Sequence, residues 1–104
     1  MLSDKGKFMV YASPFSTKNG RLKTVGRSVV KIAESLGADA EITQTSGVLS
    51  IFVYYENGGK EKISVYCDWG KNWSEKDVYH AIKSAVYALS FHPEYPILRT
   101  IRGK

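Results

Sequence analysis

The sequence predicts a two-layer α+β sandwich, a mainly antiparallel sheet with two helices on one face, and three observations lead there. Runs rich in β-branched and aromatic residues at 7–13, 39–45, 48–56 and 60–68 have the length and composition of strands. Two other segments, 20–36 and 74–91, repeat their apolar residues at helical spacing. The resulting order, β-α-β-β-β-α, packs most simply as one sheet under one helical layer. Residues 95–103, rich in apolar and β-branched side chains behind Pro96, form a final edge strand or an arm docked on the sheet.

Each element has a local reason. KFMVYAS (7–13) is a strand that Pro14 ends, because proline removes a ladder donor and biases its predecessor toward extended backbone. After the polar loop SPFSTKNG, Leu22, Val25, Val29, Ile32, Ala33 and Leu36 make one helical stripe, and Gly37 suits the residue that ends a helix. Gly26 opposes this helix by about 1 kcal/mol relative to alanine. DAEITQT (39–45) and VLSIFVYYE (48–56) are expected to form a tight hairpin across Ser46-Gly47, and Asn57-Gly58-Gly59 suits a three-residue turn into the next strand. Ser74 is a good N-cap, with Glu75 and Asp77 in the first turn at capping-box spacing. Val78, Ala81, Ile82, Ala85 and Leu89 then form a stripe that stops near Phe91, before His92-Pro93.

The segment SIFVYYENGGKEKISVYCDW (50–69) is apolar or aromatic on both faces, which a half-buried hairpin is not. A register with Glu56 opposite Lys60, Tyr54 opposite Lys62, Val53 opposite Ile63 and Ile51 opposite Val65 turns Ile51, Val53, Ile63, Val65 and Cys67 toward the helices. Phe52, Tyr54, Lys62 and Tyr66 then share the outer face with Ser50, Ser64 and Asp68. That face is either covered by residues 95–101 or meets a partner protein, a second copy of the chain included. Phe52, Tyr54, Lys62 and Tyr66 are therefore candidate interface residues, together with Trp69. Three rings beside a lysine also suit base stacking, but the acidic charge of this segment counts against it.

A length of 104 residues, 43% of them hydrophobic, provides for a single domain over 1–104. The formal charge of +5 favours polyanions as partners. It is unevenly distributed: residues 1–37 and 69–104 are basic, whereas 38–68 are acidic. Lys18, Arg21, Lys23 and Arg27 are interleaved with hydroxyl, amide and glycine residues around the start of the first helix, where unpaired N–H groups favour an anion. Lys23, Arg27 and Lys31 fall opposite the apolar stripe, the face on which any surface helix carries charge. With Arg99 and Arg102 these residues are candidates for contact with nucleic-acid phosphates, provided the fold brings them together. The leading expectation is thus a small non-enzymatic binding protein that contacts nucleic acid, DNA or RNA, through a basic loop and the first helix. The alternative is an interaction or self-association module using the aromatic sheet face.

Catalysis finds little support. Cys67 is expected in the core as a small hydrophobe, and His80 and His92 have no carboxylate partner at a catalytic spacing. Two histidines and one cysteine in unrelated elements make no zinc pattern, so neither a metal nor another cofactor is expected. One cysteine, no apolar run of the ~20 residues that span a bilayer and no signal-like N-terminus point to a cytoplasmic protein without membrane contact.

Overall fold

A computed structural model of the chain describes residues 6–12, 20–44, 50–57, 62–68, 74–92 and 95–103. The predicted order holds: β1 (Lys7–Ala12), α1 (Arg21–Leu36), β2 (Asp39–Gln44), β3 (Ile51–Glu56), β4 (Ile63–Asp68) and α2 (Glu75–Leu89), followed by a 3-10 helix (Pro96–Gly103). The strands form one mixed sheet in the order β2-β1-β3-β4. Two of its pairings are antiparallel, while β1 and β2 run parallel with α1 as their crossover.

The expected hairpin between β2 and β3 does not form, because β1 lies between them. Composition explains the insertion. Phe8, Val10 and Ala12 of β1 are fully buried and belong at the sheet centre, whereas DAEITQ is almost wholly exposed and takes the edge. Placing the polar strand in the centre would desolvate its charges without partners.

Capping fixes both helices. Gly37 ends α1 in the left-handed region (φ 70°), and the amide of Ala38 reaches back 2.9 Å to the carbonyl of Ala33, a Schellman closure. At the start of α2 the amide of Asp77 donates to Ser74 Oγ and the amide of Ser74 donates to Asp77 Oδ2, both at 3.2 Å, completing the predicted capping box. Val25, Val29 and Ile32 of α1 and Val78, Ile82 and Val86 of α2 are fully buried over Phe8, Val10, Ile51, Val53 and Tyr55. Ser28, small and buried, lets the helices approach; its hydroxyl donates to the Thr24 carbonyl at 3.2 Å and lies 3.4 Å from that of Glu75.

Residues 96–103 are neither an edge strand nor a cover for the outer sheet face. Their 3-10 helix packs against α1 and α2, burying Leu98 and Ile101, while Tyr95 sets its ring edge-on to Tyr55 at 5.7 Å. The spacing Tyr95, Leu98, Ile101 explains this: at three residues per turn all three fall on one side, which a strand would divide between two. Among the described residues no helix is long and apolar enough to cross a membrane.

Candidate binding surfaces

The hairpin of β3 and β4 departs from the expected register. Val53 pairs with Tyr66, Ile51 with Asp68 and Phe52 with Cys67, and a bulge lies between Val53 and Tyr54. The extra residue in β4 reverses the faces beyond it, as a one-residue slip must. Tyr66 and Asp68 therefore turn inward and are buried, and Cys67, expected in the core, faces outward beside Phe52. Tyr66 leaves the set of candidate interface residues for the same reason. Burial pushes its hydroxyl up to about 12, helped by the charge of Asp68, to which it donates at 3.4 Å.

Phe52 and Tyr54 do lie on the outer face, and among the described residues no element covers them. They stack 6.4 Å apart, and Tyr54 meets Tyr11 of β1 edge-on at 5.6 Å. Lys62 donates to the Tyr11 hydroxyl at 2.9 Å, which in turn lies 3.6 Å from the sulfur of Met9. Tyr11 is thus part of the surface, whereas Met9 on the same face is 5% exposed; the alternation of Lys7, Met9 and Tyr11 in KFMVYA is the signal for this face.

Arg21 is not available to an external anion. Its Nε and Nη2 donate to Asp68 Oδ2 and Oδ1 at 2.8 and 3.1 Å, and the Asp68 side chain is 1% exposed. The carboxylate beside the first residue of α1 is therefore the chain's own, and the pair ties that helix to β4.

Lys23, Arg27 and Lys31 do share one exposed face of α1, about 6 Å apart along its axis. Arg27 and Lys31 lie 3.5 and 3.4 Å from the two oxygens of Glu75, so two of the three cations share one carboxylate. Beneath them runs an open groove of about 560 Å³, floored by Leu22, Gly26 and Val30 of α1 and by Ile42 of β2. Val30 and Ile42 are 38% and 50% exposed. Gly26 keeps the groove deep, since a Cβ there would stand 3.3 Å from Ile42 Cδ1. The sequence carried a signal here too: Val30 lies off the α1 stripe, and Ile42 is a lone large apolar residue in a polar strand.

The outer wall of the groove is the sheet edge. The Asp39 amide donates to the Gly6 carbonyl at 3.2 Å, so the main-chain groups of Asp39, Glu41 and Thr43 face β1. By alternation, those of Ala40, Ile42 and Gln44 face away from the sheet, and among the described residues no strand pairs with them.

Arg102, another of the expected phosphate contacts, does not join this cluster. Arg102 stacks over Phe91 at 4.6 Å and its Nη2 lies 3.4 Å from the Ser90 carbonyl, at the end of α2 opposite Glu75. Those ends are separated by the 15 residues of α2, about 22 Å. Arg99 is exposed on the same 3-10 helix, whereas Lys18 and Trp69 lie outside the described residues. Among the described residues no group of three His, Cys, Asp or Glu is placed to hold a metal ion. Comparison of the chain with family models, curated proteins and solved structures finds no match.

Proposed function

We propose that this chain is a small non-enzymatic binding protein whose partner, a segment of another protein, seats in the groove between α1 and the free edge of β2. The observation that carries the reading is the coincidence, at one place, of an apolar floor, a basic rim and strand main chain that no strand among the described residues pairs with. Apolar area at Val30 and Ile42 rewards a side chain at ~25 cal/mol per Å² buried and gives a phosphate nothing.

A second reading keeps the groove's rim and changes the partner. Lys23, Arg27 and Lys31, at one-turn intervals with a single carboxylate shared by Arg27 and Lys31, suit the phosphates of a nucleic acid. Titration into labelled DNA and RNA at about 50 and 200 mM salt separates the two, because phosphate contacts lose affinity steeply over that range. For the peptide reading, peptides selected from a random library on the intact protein should shift the amide resonances of Gly26, Val30 and Ile42. Binding that ignores these residues and follows Phe52 and Tyr54 instead would move the site to the outer sheet face.

A further inference from the structure

From the groove's edge chemistry we infer the form of its ligand: an extended segment that adds to β2 as a fifth strand, with acidic and apolar residues on its groove side and neutral or basic residues between them. This rests on the proposed groove reading and goes beyond it.

The backbone sets the form. Ala40 and Ile42 each present an N–H and a C=O to the side of β2 that no strand occupies among the described residues, the hydrogen-bond pattern that an incoming strand completes. A helix or a compact loop leaves those groups to water. The side chains of Ala40 and Ile42 lie on the helix side, with those of Phe8 and Val10, so every second residue of an added strand points over the groove.

The side chains set the sequence. Groove-side residues meet the apolar surface of Val30 and Ile42 and then Lys23, Arg27 and Lys31, which rewards valine-like and carboxylate side chains. The opposite side of β2 carries Asp39 and Glu41, the latter 3.0 Å from Lys7, so residues pointing there meet negative charge. A uniformly acidic segment is repelled on that side. The ligand is thus amphipathic with period two, not merely anionic.

The probe is a synthetic peptide of about six residues, the usual strand length, with Glu, Val and Glu alternating with Thr, Lys and Thr. Its control has the same residues in a non-alternating order. Both are titrated into the intact protein while amide hydrogen exchange is followed. The alternating peptide is expected to bind more tightly than the control and to slow exchange at Ala40 and Ile42. Ile42→Pro removes one free donor without touching the β1 ladder, since the Ile42 amide faces away from it, and should weaken binding about tenfold. Ile42→Ala, which keeps the donor, should cost less. If Ile42→Pro fails to fold, exchange on the unaltered protein still decides.

Peptide binding that depends on Lys23, Arg27 and Lys31 but leaves both amides unprotected would overturn strand addition while the groove reading stands. Equal binding of the two peptides would overturn the alternating pattern. No binding of either peptide at about 1 mM, a threshold for even weak contacts, would overturn strand addition; if library selection likewise yields no ligand, the groove reading fails as well. Salt-sensitive binding of nucleic acid would then identify the ligand as phosphate.

Discussion

Asp68 shows how much one side chain can carry. It accepts two hydrogen bonds from Arg21 and one from Tyr66 while almost wholly buried, so truncating Arg21 strands a charge in the interior. Arg21→Ala should cost about 3–5 kcal/mol in urea unfolding. Asp68→Asn, which keeps shape and some acceptors, should cost less. Tyr55 presents the reverse case. Its hydroxyl is buried without a hydrogen-bond partner and its position is fixed by Gly6, where a Cβ would collide with it. Tyr55→Phe should therefore be neutral or stabilising by up to about 1 kcal/mol, because no bond is lost and an unsatisfied donor is removed. Burial pushes Tyr55, like Tyr66, up to about 12 from an ordinary 10. Folding favours the protonated form of both, so their contribution is complete below pH 10 and declines as pH rises through 12. Denaturation midpoints measured across that window should fall, and less steeply in Tyr55→Phe.

At the scale of elements, Gly26 is a compromise within α1. An alanine there gains helix propensity of about 0.5–1 kcal/mol, and its Cβ meets only the tip of a half-exposed Ile42 side chain that can rotate away. Gly26→Ala should raise the thermal midpoint while narrowing the groove, so stability and ligand affinity should move in opposite directions. Both helices were legible in the sequence because their signals are local: a stripe, a cap, a terminating glycine. The strands were legible as segments, and their partners were not. Pairing β1 with both β2 and β3 is a choice between distant segments, settled by which strand tolerates the edge. The bulge at Val53 and Tyr54 is subtler still, since one unpaired residue leaves composition unchanged yet exchanges Tyr66 and Cys67 between faces. The groove was half legible, as the basic face of α1, while its floor needed Ile42 from a strand whose neighbour was unknown.

At the scale of the whole molecule, two of the candidate basic sites lie at separate places. One is the rim on α1, the other the far end of α2, where Arg102 caps an exposed pair of rings, Tyr87 and Phe91, 5.4 Å apart. The 3-10 helix binds the helical layer into one piece, and Leu98→Ala should cost about 2–5 kcal/mol, the range for an aliphatic side chain lost from a full core. Its place in the chain has a temporal consequence. β1 and Tyr55 emerge from the ribosome long before Leu98 and Ile101, the residues that complete the layer above them. Until residue 101 has left the ribosome, the nascent chain holds an unfinished core and an open strand edge together, the combination most prone to association between chains. Nascent chains halted before Leu98 should be digested readily by protease, and those extended well past Ile101 should resist it.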